Sequence, residues 1–514
     1  MPMKRRYQIV WVTVLLLLES LPFLAAGWAA PGGSVFSGFL INPIDGNSYL
    51  AKMYQGWSGS WTFHLPFSMD RGQGGYVFLY YLFLGHLARL AGLKLIWTYH
   101  LARLLGSAAL ILGLRQLFAR VFPGQKLAGQ AWILAGIGAG CGWLVVLAGL
   151  FPGDLWVAEA YPFLAGYANP HFPASLALAA WLTAWILPGG GGRRAAGWTR
   201  AAVSALALAA LATLLPFAAI LALGLIFFVL AAEWAVEKRF APAALLGGGL
   251  GGGAVLLYQF WLSRADPVLA AWMAQNLTPP LPAWNILVSF APALLLALPG
   301  ALVAVRRKEI GGLVLAGWAL VSLLAQFIPI GLERRFLLGW YIPLAGLAVL
   351  GCEWLRTRWN AGWAFRAVLI VSIPTNLILM AAGWSAARSG DPAVTLRQSE
   401  TRALDWLAQN TPADALVLAA PDSGLLIPAY TGRRVLYGHP FETVNAAAQK
   451  ERVTAFYTGA LTPEQAGELL QTNAVGFVLD GPREQALGRL PDLTNLVRVY
   501  DADGTAIYRV GSAR

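Results

Sequence analysis

The sequence predicts a mainly α-helical fold: a polytopic transmembrane helical bundle of about 11 to 13 spans with a C-terminal extracytoplasmic α/β domain. Three observations predict this class. Of the 514 residues, 58% are hydrophobic and only 12% are charged, whereas soluble domains carry about 25% charged residues. Apolar runs near the length of a bilayer-crossing helix recur along the chain. The apolar pattern ends near Arg388, and the remaining residues have the composition of a small soluble domain.

Basic residues explain the net charge of +12 and give an orientation. They form short clusters between apolar runs, as the positive-inside rule describes for cytoplasmic loops. The clusters are Lys4-Arg5-Arg6, Arg193-Arg194, Lys238-Arg239, Arg306-Arg307-Lys308 and Arg356 with Arg358. This distribution excludes nucleic acid as a partner. It also favours a multi-pass protein of a bacterial-type plasma membrane, with its N-terminus in the cytoplasm.

The first span has two interpretations. Basic residues followed by the apolar run 9–18 resemble a secretory signal, and the small residues at 25–30 would suit cleavage. We favour an uncleaved helix from Tyr7 to Trp28, because its length suits the bilayer and many spans follow. Its basic end then lies inside, and Asp45 lies on the outer face.

Ten further spans complete a count of eleven. They are expected near 96–118, 130–150, 172–188, 197–214, 216–236, 241–262, 286–305, 311–330, 336–354 and 362–384. An odd count places the C-terminus outside. The segment 77–93 is short and contains His86 and Arg89, so it is interpreted as interfacial or re-entrant. The glycines of 247–253 are expected to let neighbouring helices approach closely.

The domain boundaries follow from composition. Residues 1–388 form the transmembrane domain with a long outer first loop at 29–75, residues 389–399 are a linker, and residues 400–514 form the α/β domain. Its predicted helices lie at 400–410, 443–457 and 463–472, the last with a capping box at Thr462. Predicted strands lie at 415–420, 434–437 and 475–479, and a hairpin joins 496–500 to 507–510.

The first outer loop is the leading candidate site, because it is long, aromatic and acid-bearing. Its main candidate is Asp45, for which a cap of a helix over 46–55 is the structural alternative. Arg334 and Arg335 break the positive-inside rule if they lie outside, and guanidinium groups suit phosphoryl oxygens. Contact with lipid head groups, or pairing with Glu333, is their alternative. Residues that could contact substrate are Lys52, Tyr54, Trp57, His64, Asp154, Glu159 and His171.

Several candidates have plainer explanations. Asp154 and Glu159 are expected to be solvated loop acids rather than catalytic groups. The histidines are too scattered for zinc-ligand spacing, so no metal site is assigned. Cofactors stay unknown: the sequence requires none and leaves a divalent cation open. No acid is assigned to the middle of a span, which argues against a proton- or ion-coupled pump.

These features resemble the GT-C superfamily of membrane glycosyltransferases, which includes protein O-mannosyltransferases and aminoarabinose transferases. The resemblance is carried by Ile44-Asp45-Gly46-Asn47-Ser48-Tyr49, Gly56-Trp57, Tyr80-Tyr81-Leu82-Phe83-Leu84-Gly85, Tyr99-His100-Leu101-Ala102-Arg103-Leu104-Leu105-Gly106, Thr462-Pro463-Glu464, Val475-Gly476-Phe477-Val478 and the tail 503–510. It covers most of the chain in layout. The chain departs from the family in having Asp45 alone where an acid pair is frequent, and Gly74-Gly75 where Pro-Pro is frequent.

The resemblance implies an enzyme that moves a hexosyl or pentosyl group from a polyprenyl-phosphate donor to an acceptor on the outer face. It assigns Asp45 as general base and Arg334 and Arg335 as ligands of the donor phosphate. It also implies that the helix at 77–93 crosses the membrane. Membrane lipid is an expected partner, and the acceptor is not identified. The alternatives are a lipid-linked sugar flippase or other transporter, and a scaffold whose outer domain 400–514 acts as a sensor.

Overall fold

The computed structural model describes residues 5–329 and 331–511. Lys4 of the first basic cluster and Ile330, the end of one expected span, lie outside the described residues. The chain forms two compact units. The helical unit contains Met1–Ala25, His100–Tyr258 and Thr278–Trp384, and the α/β unit contains Ala26–Tyr99, Gln259–Leu277 and Ser385–Arg514. The packing thus groups the first outer loop with the C-terminal residues, while the boundaries near 388 and 399 stay a sequence-based prediction.

Seven segments of the described chain are long and apolar enough to cross a membrane. They are Arg6–Ala29, Leu95–Val121, Gln125–Val146, Gly197–Leu214, Pro216–Glu237, Ala243–Ala265 and Ala364–Ser389. Two of them contain a break, which divides them into Gln125–Ile137 with Gly142–Val146 and Ala364–Val371 with Pro374–Ser389. The bent pair Ala283–Phe290 and Ala293–Arg307 makes up to eight spans.

The other three predicted spans are also helical, but each is either too short or too charged to count among the candidate membrane spans. His171–Ile186 and Ile310–Ala325 have 16 residues each. Tyr341–Trp359 has 19 residues and carries Glu353, Arg356 and Arg358 toward its end. Each of the eleven predicted spans therefore coincides with a helix or a helix pair. Short helices complete the helical unit at Gly153–Leu155, Ala158–Ala160, Pro162–Ala168, Gly191–Arg194 and Glu333–Leu337.

The prediction that no acid lies within a span is wrong. Glu19 lies inside Arg6–Ala29 and is 1% exposed. Its carboxylate accepts a hydrogen bond from Ser107 Oγ at 2.8 Å, and Arg103 Nη2 donates to its carbonyl oxygen at 3.0 Å. Glu233, also buried, lies toward the end of Pro216–Glu237 beside Arg193. Such buried charges persist because they are hydrogen-bonded or paired.

The α/β unit contains a five-stranded sheet in the order β4-β3-β5-β7-β6. The strands are β3 (Leu416–Leu418), β4 (Arg434–Val435), β5 (Phe477–Asp480), β6 (Leu496–Ala502) and β7 (Thr505–Val510), preceded in the chain by β1 (Ser34–Phe36) and β2 (Thr395–Arg397). Strands β3, β4 and β5 run parallel, whereas β7 is antiparallel to β5 and β6. The consecutive residues Val417 and Leu418 point to opposite faces of the sheet and enter different core clusters, so both faces are covered.

Within the described residues, the α/β unit also contains eight complete helices, of which Pro43–Trp57 belongs to the first outer loop. They are Pro43–Trp57, Leu79–Ala91, Pro267–Gln275, Gln398–Asn410, Pro421–Thr431, Ala446–Tyr457, Pro463–Thr472 and Pro482–Gln485. The capping box at Thr462 is confirmed, with Gln465 as its partner. Pro43–Trp57 packs closely on Leu79–Ala91, because Gly56 and Gly85 lie where a Cβ would be 2.0 Å from a carbonyl oxygen of the facing helix. This contact fixes the helix that carries Asp45.

Candidate active site

Asp45 lies in the first turn of the helix Pro43–Trp57. Pro43 occupies the start of the helix, where its missing N–H costs nothing, and Asn42 precedes it with φ 47°. The helix begins three residues before 46, so the interpretation of Asp45 as the cap of a helix over 46–55 is wrong. The side chain of Asp45 is 47% exposed. Its carboxylate is therefore accessible, and it benefits from the positive end of the helix dipole.

His439 is a titratable neighbour of Asp45 within the α/β unit. Its Nε2 lies 3.9 Å from Asp45 Oδ1, and its side chain is 2% exposed. Its Nδ1 accepts hydrogen bonds from the backbone N–H groups of Phe441 and Glu442, both at 3.1 Å. Burial lowers the pKa of His439, although Glu442 and Asp45 oppose this effect. A neutral imidazole with a defined orientation thus faces the carboxylate.

Lys52 follows Asp45 by two turns of the helix but does not reach solvent. It is 0% exposed, and its Nζ lies 2.7 Å from Glu442 Oε1 and 2.5 Å from Ser48 Oγ. The ring of Phe78 lies 4.6 Å from the same nitrogen. Burial acts to raise the pKa of Glu442, but the charges of Lys52 and His439 and the hydrogen bonds hold it below its usual value. The predicted substrate contact by Lys52 would need a surface that this conformation does not expose.

The remaining candidates of the first outer loop are Tyr54, Trp57 and His64. Trp57 ends the same helix, about 18 Å from Asp45 along its axis, and is 42% exposed. Tyr54 is half-buried and packs on Gly432 and Trp57. His64 is half-buried, and burial together with the charge of Arg71 lowers its pKa. Trp57 is therefore the most accessible of these three side chains, whose substrate contacts stay predictions.

Arg334 and Arg335 lie in the short helix Glu333–Leu337 of the helical unit. The guanidinium of Arg334 stacks 4.6 Å from the ring centre of Trp156. Arg335 Nη1 donates to Glu159 Oε1 at 3.0 Å, and its side chain is 25% exposed. The ion pair of Arg335 is thus with Glu159 rather than with Glu333, whose carboxylate accepts from the N–H of Gly331. Their contact with a donor phosphate stays a prediction.

Asp154 and Glu159 are not the solvated loop acids that the sequence suggested. Asp154 is 0% exposed and accepts hydrogen bonds from the Gly142 N–H at 2.8 Å and from Thr375 Oγ1 at 3.0 Å. Burial raises its pKa to about 6, although these hydrogen bonds oppose the shift. Glu159 is 5% exposed. Both acids are buried and tie chain segments together. Asp45, at 47% exposure, is therefore the most exposed of the three candidate acids.

His171 begins the helix His171–Ile186 and packs its ring against Phe172 at 4.1 Å. It is 5% exposed, so it offers little surface to a substrate. Within residues 5–329 and 331–511, no group of three His, Cys, Asp or Glu side chains could hold a metal ion. The two cysteines, Cys141 and Cys352, are unbridged.

The sequence did not reveal His439 and Glu442. They lie almost 400 residues from Asp45, in a segment that carries no recognised motif, Gly438-His439-Pro440-Phe441-Glu442-Thr443. The buried pair with Lys52 brings this segment to the helix of Asp45. The arrangement can hold an exposed carboxylate beside a fixed neutral imidazole, which is suited to accepting a proton from a hydroxyl group.

No family model matches the sequence, and no curated protein matches it. Among solved structures, ArnT from Cupriavidus metallidurans bound to undecaprenyl phosphate has a TM-score of 0.57 and 15% identity, covering 98% of both chains. The oligosaccharyltransferase of Archaeoglobus fulgidus, tethered with an acceptor peptide, has a TM-score of 0.56 and 14% identity, covering 93% of this chain and 69% of that one.

Two more structures of the archaeal enzyme show its ligands. The complex with an inhibitory peptide and a dolichol-phosphate has a TM-score of 0.53 and 13% identity, covering 99% of this chain and 75% of that one. A complex with Zn and sulfate has a TM-score of 0.53 and 15% identity, covering 98% of this chain and 73% of that one. These neighbours are GT-C glycosyltransferases. The chain is therefore an integral membrane protein with the GT-C fold. This confirms the predicted polytopic helical bundle with a C-terminal α/β domain, and also the resemblance, while the outer placement of that domain stays a prediction.

Proposed function

We propose that this chain transfers a sugar from a polyprenyl-phosphate donor to an acceptor on the outer face of the membrane. The observation that carries the proposal is the fold shared with ArnT over 98% of both chains. ArnT was solved with undecaprenyl phosphate, and the archaeal enzyme with a dolichol-phosphate. An exposed carboxylate at the start of the first outer loop, next to a fixed imidazole, supports the same proposal.

Asp45 is assigned as the general base. The acceptor hydroxyl oxygen forms a bond to the anomeric carbon while the bond from that carbon to the phosphate oxygen breaks. The hydroxyl proton moves to the Asp45 carboxylate, and the electron pair of the broken bond leaves with the polyprenyl phosphate. A positioned base typically contributes 10²–10⁴-fold to such a step. The donor carries its own leaving group, so this step requires no nucleotide.

Arg334 and Arg335 are assigned to the phosphate. Guanidinium groups present paired donors that match phosphoryl oxygens, and the interaction strengthens where water is excluded. The stacking of Arg334 on Trp156 holds its plane in one orientation. Asp45 belongs to the α/β unit and the arginines to the helical unit, so the proposal that they act on one substrate is tested by kinetics.

The experiment is a transfer assay of the purified chain in vesicles with a panel of polyprenyl-phosphate sugars. Asp45→Asn removes the proton acceptor but keeps the size of the side chain. It should lower kcat by about 10²-fold, a barrier increase of roughly 3 kcal/mol, with little change in donor KM. Asp70→Asn is the matched control, because Asp70 is an exposed acid of the same loop. Near-normal turnover by Asp45→Asn would refute its role as base.

Two further arms of the assay address the open points. A chelator arm, followed by addition of single divalent cations, tests metal use, since the archaeal enzyme was solved with Zn and sulfate. A translocation arm tests the flippase alternative. The argument against a transporter was the absence of acids in the spans, and it is weakened because Glu19 and Glu233 lie in candidate spans. Movement of a lipid-linked sugar across the vesicle without transfer would favour that alternative. Transfer in sealed vesicles that show no translocation would favour the enzyme.

A further inference from the structure

The segment Gly438–Asn445, which we call the histidine loop, is held rigidly within the α/β unit. The N–H groups of Gly438 and His439 donate to Thr443 Oγ1 at 3.3 and 3.1 Å. The side chain of Gln275 donates to the carbonyl oxygens of Phe441 and Thr443. Glu442 is fixed by Lys52 and Ser48, which come from the helix of Asp45 itself. The position of His439 is therefore set by contacts that do not involve Asp45.

The hydrogen bonds of His439 also define its tautomer. Because Nδ1 accepts two backbone N–H groups, it cannot carry a proton, and the neutral ring is protonated on Nε2. This N–H group is buried and has no hydrogen-bond partner among the described residues. A buried donor without a partner is costly and needs an explanation. The carboxylate oxygen Asp45 Oδ1 lies 3.9 Å away on a side chain that is 47% exposed.

We propose that His439 is a positioning residue for Asp45, which donates its Nε2–H to one carboxylate oxygen when the acceptor substrate is bound. A small rotation of the exposed Asp45 side chain would close the gap of 3.9 Å. The donated bond would fix the carboxylate plane and direct the second oxygen at the acceptor hydroxyl. This inference rests on the proposed function, and it adds a residue from the C-terminal part of the chain to the catalytic centre.

The inference predicts an effect on the pH profile. A hydrogen bond to the charged form of a carboxylate lowers its pKa, so loss of the bond raises the pKa of Asp45. Since kcat rises with pH as the base loses its proton, this rise (the acid limb of the pH profile of kcat) then moves to higher pH. Glu442 and Lys52 also act electrostatically on His439, and Tyr81 interacts with Asp45. All three stay unchanged in the variants below. A purely structural role of His439 would alter stability without moving the limb.

Two substitutions separate positioning from loop support. His439→Asn keeps an acceptor near the place of Nδ1 and loses the Nε2 donor. His439→Gln keeps a donor near the place of Nε2 and loses the Nδ1 acceptor. We expect His439→Asn to lower kcat about tenfold and to shift the acid limb upward by about one pH unit. His439→Gln should retain most of the turnover and a near-normal limb.

The controls make each result decisive. His86→Asn is the same change in another histidine of the α/β unit, which stacks on Trp61 at 4.1 Å, and it should leave the profile unchanged. In the Asp45→Asn background, His439→Asn should have no further effect, since it acts through Asp45. A greater loss in His439→Gln than in His439→Asn would overturn the inference, as would wild-type profiles in both. Absence of transfer by the unmodified chain would instead contradict the proposed function.

Discussion

At the scale of the residue, Lys52 shows how a polar residue of an outer loop can be structural. Its sequence position beside Asp45 suggested contact with substrate, yet it is fully buried and forms an ion pair with Glu442. Removal of one partner from a buried pair leaves an uncompensated charge, which is strongly destabilising. The pair holds the histidine loop against the helix Pro43–Trp57, and the contact of Lys52 with substrate stays a prediction.

Asp154 gives a prediction about pH. Its pKa in the folded protein is about 6, above the value of about 3.9 for an unfolded chain. The folded state therefore binds the proton more tightly, and the stabilising contribution of Asp154 is complete below about pH 4 and lost as the pH rises through about 6. The loss amounts to roughly 3 kcal/mol in the free energy of unfolding.

Thermal unfolding in detergent between pH 4 and pH 8 measures this effect. Asp154→Asn keeps an oxygen to accept from Gly142 and should flatten the dependence in that window. It should also match or exceed the unmodified protein in stability at pH 8, because no buried charge forms. Asp70→Asn, an exposed acid, should leave the pH dependence unchanged. An unaltered slope in Asp154→Asn would show that another group dominates.

The arginines give a second residue-scale prediction. Arg334→Ala should raise donor KM about tenfold or more while preserving the fold, since a bond between charged groups is worth roughly 1.5–3 kcal/mol. Arg335→Ala should in addition reduce stability, because Glu159 is 5% exposed and loses its ion-pair partner. The double variant Arg335→Ala with Glu159→Gln leaves no unpaired carboxylate, so it separates the effect on donor KM from the loss of stability. Arg264→Ala, an exposed arginine stacked on Phe260, is the matched control, and unchanged donor KM in Arg334→Ala would refute the phosphate role.

At the scale of the element, apolar runs predicted the spans, and local signals predicted most helices and strands of the C-terminal residues. All eleven predicted spans coincide with helices because their apolar runs are long. The helix Pro421–Thr431 was missed, since Gly424 and Pro428 in its interior resemble turn residues. The pairing of β1 with β2 joins three-residue strands from distant parts of the chain. Such short strands have no periodicity to detect, and their pairing depends on tertiary structure.

The helix Ala243–Ala265 gives an element-scale prediction from four of its glycines. A Cβ at Gly247 or Gly251 would lie 2.1 or 2.2 Å from the carbonyl oxygen of Ala201 or Ala205, which confirms the predicted close approach of two helices. Nothing lies within 4 Å of a Cβ at Gly249 or Gly253. The same substitution in one helix should therefore have opposite effects.

Gly247→Ala and Gly251→Ala should each destabilise the protein by about 1–3 kcal/mol, because the helices must separate. Gly249→Ala and Gly253→Ala should be neutral or stabilise it by up to about 1 kcal/mol through helix propensity. Thermal unfolding in one detergent compares all four variants. Equal stability across the set would contradict the packing of Ala243–Ala265 against Gly197–Leu214.

At the scale of the whole molecule, the fold was predictable and the candidate site only partly so. Composition and apolar runs were enough for the class. Asp45 could be singled out because it stands in a long polar loop. Its neighbours His439 and Glu442 could not, since almost 400 residues separate them from it and only the folded α/β unit brings them together. Glu19 was overlooked because one acid hardly changes the hydropathy of an apolar run.

The side of the membrane on which the C-terminal residues lie depends on whether the number of spans is odd or even. Seven or eleven crossings from a cytoplasmic N-terminus place the C-terminal residues outside, whereas eight place them inside. The basic clusters favour eleven crossings, because with that count they all lie in the cytoplasm. In a background with Cys141→Ser and Cys352→Ser, single cysteines at the exposed positions Lys450 and Arg307 report the two sides. A membrane-impermeant thiol reagent added to intact cells should label Lys450→Cys and spare Arg307→Cys, and both should react after lysis. Labelling of Lys450→Cys from the cytoplasmic side alone would place the α/β unit inside, and Asp45 could not then act on an acceptor at the outer face.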